Sequence, residues 1–183
     1  MGRGHPESPQ RLDAIDDHLR AVGLDIALEA RDAPLVDLAD VALAHDSGYV
    51  TEIQHVLQQV MADGEPRSLD PDTIASPGTW NAVRRAAGAA VAATDAVIDG
   101  NARNAFCAVR PPGHHATRHA AMGFCFFNNV AIAARHAVDV RGLERVAIID
   151  FDVHHGNGTE DIIAGDERVL MVSFFQHPFY PYS

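Results

Sequence analysis

The chain is expected to fold as an α/β domain, a three-layer arrangement with a mainly parallel sheet flanked by helices. Three observations predict this. From residue 104 onward, short apolar runs alternate with helical stretches in the order strand, helix, strand, helix, strand. The spacings suit βαβ crossovers, which give a parallel sheet buried on both faces. Polar residues also collect where each apolar run ends, and in such sheets ligands gather at the carboxyl ends of the strands. At 183 residues the chain suits one domain with a real core, so residues 1–183 are read as a single domain.

Each element follows from local pattern. "SPQRLDAIDDHLRAVG" carries Leu12, Ile15, Leu19 and Val22 at helical spacing, with Ser8 and Pro9 as a start and Gly23 as a stop. "DLADVALAHDSGYVTEIQHVLQQVMADG" reads as two helices broken near residues 46–48. "GEPRSLDPDTIASPG" is loop-like, with three prolines and two glycines in fifteen residues. An alanine-rich helix spans about residues 80 to 98, small enough in its side chains to pack close against a sheet. "NAFCAVR" (104–110) is a predicted strand ending at Pro-Pro-Gly. "NNVAIAARHAVDV" is a helix, "RVAIIDF" a strand, "TEDIIAG" a short helix and "RVLMVSFF" a further strand.

Composition excludes several classes. No stretch approaches the roughly 20 uninterrupted apolar residues of a membrane span, and the polar N-terminus "MGRGHPESPQ" lacks the apolar core of a secretory signal. A cytoplasmic location is therefore expected. The two cysteines, Cys107 and Cys125, sit in apolar surroundings and are expected as buried free thiols. A net charge of −11 argues against direct nucleic-acid binding; it would draw cations and amine-bearing substrates, but taken alone it reads first as an acidic surface that keeps the protein soluble.

The chemistry concentrates in "IDFDVHHGNGTEDI". Strand alternation sends Asp150, Asp152 and His154 to one side and Phe151, Val153 and His155 to the other. Asp152 and His154 form an i, i+2 pair able to hold one divalent metal; a carboxylate and an imidazole suit zinc, and also ferrous iron or cobalt. The competing reading, in which the Asp merely caps the next helix, fits poorly with two Asp and two His at one strand end. Gly156 and Gly158 let the backbone turn sharply beside the pair. In "RPPGHHA", a stiff loop presents His114 and His115, adjacent imidazoles suited to proton transfer. Asp150 is the nearest carboxylate, by strand position, to fix one ring. Phe126 and Phe127 are expected in the core, whereas Phe124 could line a narrow apolar channel; Phe179, Tyr180 and Tyr182 lie near the last strand end. An apolar slot leading to a metal suits a long substrate arm with a polar reacting group at its tip.

These motifs resemble those of the histone deacetylase and acetylpolyamine amidohydrolase family. The matching pieces are "HPESPQRL", "LDPDTIASPGTW", "RPPGHHA", "GFCFFNNVAIAA", "IDFDVHHGNGTEDI" and "VSFFQHPFYP", in the family's order along nearly the whole chain. The resemblance implies a fold shared with arginases and zinc-dependent removal of acetyl groups from an acetyl-lysine or acetylpolyamine substrate. It implies Asp152 and His154 as zinc ligands, His114 and His115 as the paired histidines that handle the proton of the attacking water, Asp150 behind His114, and Asn157 behind His115. An amide at 157 is similar to class II and bacterial members. Phe124 and Tyr180 match walls of the acyl tunnel, Asp72 a rim residue, and Arg11 an arginine near a product-exit channel. Asp150, Asp152, Ser173, His154 and Phe174 match a monovalent-cation site that usually holds potassium. Gly156 stands where the two-manganese arginases have an Asp, so one metal is expected.

The family's third zinc ligand and transition-state tyrosine have no counterpart in these 183 residues, and the chain resembles the N-terminal part of a deacetylase. The alternative expectation is therefore a catalytically silent metal-binding or interaction module. Its open sheet edge would seek a partner, a second copy included.

Overall fold

A computed structural model describes residue 5 and residues 7–182. Helix α1 (Gln10–Ala21) follows Pro9 and ends before Gly23, whose φ of 71° reverses the chain. Its apolar positions Leu12, Ile15 and Leu19 are only half-buried. A short 3-10 turn (Asp25–Ala27) leads into α2 (Leu38–Ala44), capped by the Asp37 carboxylate. Helix α3 (Ser47–Asp63) starts at Asp46, which accepts from the backbone amides of Gly48 and Tyr49, so the break expected near residues 46–48 is an N-cap. The 64–78 loop holds only a two-residue antiparallel pair, β1 (Arg67–Ser68) with β2 (Ile74–Ala75). Helix α4 (Thr79–Ile98) is the long alanine-rich helix. Helix α5 (Asn129–Asp139), strand β3 (Val146–Asp150), helix α6 (Asn157–Ile163) and strand β4 (Val169–Ser173) complete the order.

One continuous core joins α2–α5 to the sheet, centred on Leu57, Val60, Trp80, Val83, Phe126, Phe127, Ile132 and Ile148. The rings of Phe126 and Phe127 are almost completely buried, as the sequence predicts. A polar clamp crosses the helical layer: His136 on α5, itself buried, bonds Asp40 of α2 at 2.7 Å and Asp95 of α4 at 2.9 Å. Burial alone would lower the His136 pKa. The hydrogen bonds and charges of the two carboxylates outweigh burial and raise it.

Strands β3 and β4 pair in parallel, with Asp150 opposite Ser173 at their carboxyl ends. The crossover through α6 is the expected βαβ unit. Two expectations differ. Residues 104–110 form no strand: Phe106 and Cys107 are exposed, and no neighbouring strand offers hydrogen bonds among the described residues. Cys107 is accordingly not a buried thiol, whereas Cys125 is. The sheet is also buried on one face only. Ile148 and Val169 enter the core, while Ile149, Leu170 and Val172 stand exposed on the other side. A cleft of about 570 Å³ runs along β3, lined by Gly113, Val130, Ile149, Phe151 and Val153 among others. Among the described residues, no helix is long and apolar enough to cross a membrane.

Candidate active site

Three segments build the site: the 111–116 loop, the 122–127 segment that leads into α5, and the turn between β3 and α6. The loop is anchored at its start by Arg110, whose guanidinium forks onto the buried Glu7 carboxylate at 2.9 and 2.5 Å. Neither residue is singled out by sequence reasoning for this role. Both lie in matched motifs, and an arginine leading a histidine loop would need a carboxylate if it were drawn inward.

His114 and His115 lie side by side, ring centroids 4.0 Å apart. Each has its own partner at Nδ1: His114 bonds Asp150 Oδ2 at 2.9 Å and His115 bonds Asn157 Oδ1 at 2.9 Å. With Nδ1 so engaged, each ring keeps Nε2 for chemistry. The Asp150 carboxylate sits at the last position of β3, and Asn157 at the first of α6, so one turn serves both histidines. Gly156 makes this possible, because a Cβ there would lie 2.3 Å from Asp150 Oδ2 and 3.2 Å from His114 Nδ1.

Electrostatics separate the two rings. Burial, reinforced by the neighbouring His114, lowers the His115 pKa to about 4, so that ring is neutral near pH 7. Burial would raise the Asp150 pKa, but hydrogen bonds from His114 and from the Asp152 amide lower it overall, and Asp150 is ionised.

Asp152 and His154 are placed together beside this pair. Asp152 Oδ1 accepts from the His154 amide at 2.7 Å and lies 3.2 Å from His154 Nδ1, and the His154 ring is 6.0 Å from His115. Their side chains are about half exposed, at 49% and 45%. A carboxylate and an imidazole converging at this distance fit two ligands of a zinc site. Among the described residues no group of three His, Cys, Asp or Glu side chains gathers as a metal cluster.

The remaining candidates fall around the same space. A cavity of about 370 Å³ is lined by Arg11, His114, His115, Phe124, Asp152 and His154 among others. Arg11 donates to the Val109 carbonyl at 2.5 Å. Phe124 holds a left-handed backbone (φ 70°), its amide donating to the buried Thr73 hydroxyl at 3.0 Å and its ring meeting His5 edge-on at 4.7 Å. Thr73 is another residue that sequence reasoning passed over. Tyr180 stands edge-on to His115 at 4.9 Å. Burial pushes its hydroxyl up to about 12, with the charges of Asp70, Cys125 and Asp72 adding to the effect. Asp72 itself is exposed. Ser173 and Phe174 lie across from Asp150, whose carbonyl accepts from the Phe174 amide at 2.9 Å, while the Ser173 hydroxyl lies 3.3 Å from His155 Nδ1.

Residues 5–183 match the family model described as the histone deacetylase domain. The chain is 40% identical over 178 residues to the histone deacetylase-like amidohydrolase of Pseudomonas aeruginosa, covering 97% of this chain and 46% of that protein. It is 40% identical over 185 residues to the human polyamine deacetylase HDAC10, covering 96% of this chain and 27% of the other. The solved HD domain of HDA15 superposes with a TM-score of 0.91 at 34% identity, covering all of this chain and 53% of that one. The chain thus spans about half, or less, of the length of these relatives.

Proposed function

Because the chain belongs to the histone deacetylase family, we propose that the protein carrying it is a hydrolase that cleaves an acetyl amide, releasing acetate and a free amine. The observation that carries this reading is the pair of partnered imidazoles, 4.0 Å apart, opening with Asp152, His154 and Phe124 on one cavity. His115 enters neutral with the Nε2 lone pair available. It takes a proton there from the water that attacks the acetyl carbonyl, and returns it to the amine nitrogen as the C–N bond breaks. Asp150 orients His114 and counters positive charge that gathers on the histidine pair. Zinc, or ferrous iron or cobalt, would be held by Asp152 and His154 and would supply Lewis-acid polarisation of the acetyl carbonyl. Potassium would sit among Asp150, Asp152, Ser173 and the backbone at His154 and Phe174. Phe124 and Tyr180 would wall the acyl arm, Arg11 would border the acetate exit, and Asp72 would meet an amine or backbone at the rim.

The substrate class is acetylpolyamine or acetyl-lysine, with the acidic chain leaning towards a small acetylated amine. Acetate release from acetyl-lysine peptides and acetylpolyamines by the full-length protein, with and without zinc, tests the reading. Zinc-dependent turnover of one class is the expected result, and no turnover on either would overturn it.

A second reading is favoured by the bare sheet face and the two-donor metal pair. On that reading residues 1–183 alone are a silent module that binds metal weakly and associates through the free edge of β3, with a second copy as one partner. Tight stoichiometric zinc with turnover in the isolated chain would contradict it.

A further inference from the structure

The two histidines have unlike supports. A carboxylate such as Asp150 is symmetric, and either oxygen can accept the His114 Nδ1–H. Asn157 is an amide, and only its oxygen end can do the same for His115. If the amide were turned over, its NH₂ would face His115 Nδ1, forcing the ring proton to Nε2 and removing the lone pair from the cavity. Something must therefore distinguish the two ends of Asn157.

Among the described residues, one neighbour is able to do so. Asn157 Nδ2 lies 3.4 Å from Met122 Sδ. A thioether has lone pairs and no hydrogen, so it attracts an N–H and repels a carbonyl oxygen. Met122 is held where it can act: its backbone pairs with Cys125 in both directions, at 3.1 and 2.9 Å. Gly123 follows it, with φ 56°, and the His115 ring rests against this residue so closely that a Cβ would fall 2.6 Å from Cδ2. The His115 ring is thus pinned with its Cδ2 edge on Gly123 and its Nδ1 edge on Asn157. Ring rotation cannot compensate for an inverted amide.

We propose that Met122 is a positioning residue whose sulfur fixes the orientation of the Asn157 amide and thereby holds His115 in the Nδ1–H tautomer. Sulfur, amide and imidazole form a three-member chain in which each link has one allowed polarity. The catalytic consequence rests on the deacetylase reading above, but the tautomer itself does not. It can be read in the 183-residue chain without any turnover.

The experiment uses chain labelled with 15N in its histidines and long-range proton–nitrogen correlation spectra near pH 7. In the wild type, His115 should show a protonated Nδ1 and a bare Nε2, as two well-separated nitrogen shifts. In Met122→Leu the two shifts should move toward each other as the Nε2–H tautomer becomes populated, while the His114 pattern stays unchanged. Adding Asn157→Asp to Met122→Leu should restore the wild-type pattern, because a carboxylate needs no orienter. Norleucine at 122 keeps the side-chain shape and removes only the sulfur, so it serves if the leucine variant folds poorly. Three results would overturn the proposal: an Nε2–H tautomer in the wild type, an unchanged His115 in the sulfur-free variants, or a change that Asn157→Asp does not rescue. In the full-length protein the same variant should lose kcat with KM unchanged. Absence of turnover in the wild type would count against the deacetylase reading and leave the tautomer result standing.

Discussion

The two halves of the site are built to different standards. In the half that would handle protons, His114 and His115 are well enclosed, each ring is bonded at Nδ1, and the partners come from one turn between β3 and α6. In the half that would hold metal, Asp152 and His154 stand half exposed and bond mainly to each other. The contrast follows from where the supporting atoms lie. The side chains that bond the two imidazoles at Nδ1, Asp150 and Asn157, lie seven residues apart on one turn. Asp152 and His154 offer one carboxylate and one imidazole, and among the described residues no third His, Cys, Asp or Glu side chain gathers with them.

The largest expected effect exploits burial of the first half. His115 is held neutral, with its pKa lowered to about 4, whereas in the unfolded chain it titrates near 6.5. Its contribution to stability is therefore intact above about pH 6.5 and is lost as pH falls towards 4, because unfolding then takes up a proton. Across that window His115 should cost the wild type about 2 kcal/mol relative to His115→Gln, after allowance for solvent reaching the ring. Urea unfolding at a series of pH values measures this. Parallel stability curves for the two proteins would mean that the ring takes up its proton in the fold as readily as in the unfolded chain.

Comparable in size is Gly156→Ala. Its Cβ would press on Asp150 Oδ2 and His114 Nδ1, the first dyad, and overpacking of this kind costs about 1–3 kcal/mol. Denaturant midpoints should fall, and the His114 nitrogen shifts should change. If the variant matches the wild type in both, the close approach of turn and dyad is not a constraint, and the contrast between the halves weakens.

Much of this arrangement is legible in the sequence, and the exceptions share a cause. Helices α2 to α6 and the strands β3 and β4 follow from periodicity and caps, because those signals are local. Strand position alone names Asp150 as the carboxylate for one ring of the pair, and the family resemblance says that the ring is that of His114. Asn157 behind His115 came only from family resemblance, since nothing in "HHGNGT" says which polar group faces which ring. The run at 104–110 has the composition of a strand and fails to become one. A strand needs a lateral partner, and apolar alternation does not name it. A related gap leaves Ile149, Leu170 and Val172 exposed on a sheet that reads as buried on both faces: an apolar strand does not name the layer that would cover it. Met122, Thr73 and Glu7 were passed over because each acts by touching another loop, and neither spacing nor periodicity encodes that contact.

The smallest structural effect should come from the metal half. Asp152→Ala and His154→Ala remove half-exposed side chains whose principal partner is each other, so each should change stability by no more than about 0.5 kcal/mol. Both should abolish zinc binding, which in the wild-type chain is expected to be weak, rapidly exchanging and limited to one ion. Calorimetric zinc titration beside urea unfolding separates the two readouts. If either variant destabilised the fold by several kcal/mol, the pair would be a structural element rather than an open ligand set. Zinc binding that survived both substitutions would place the metal elsewhere in the chain. The proton half makes the control: Asn157→Ala should disturb the His115 tautomer yet leave zinc binding within a few-fold of wild type, because Asn157 bonds to neither member of the metal pair.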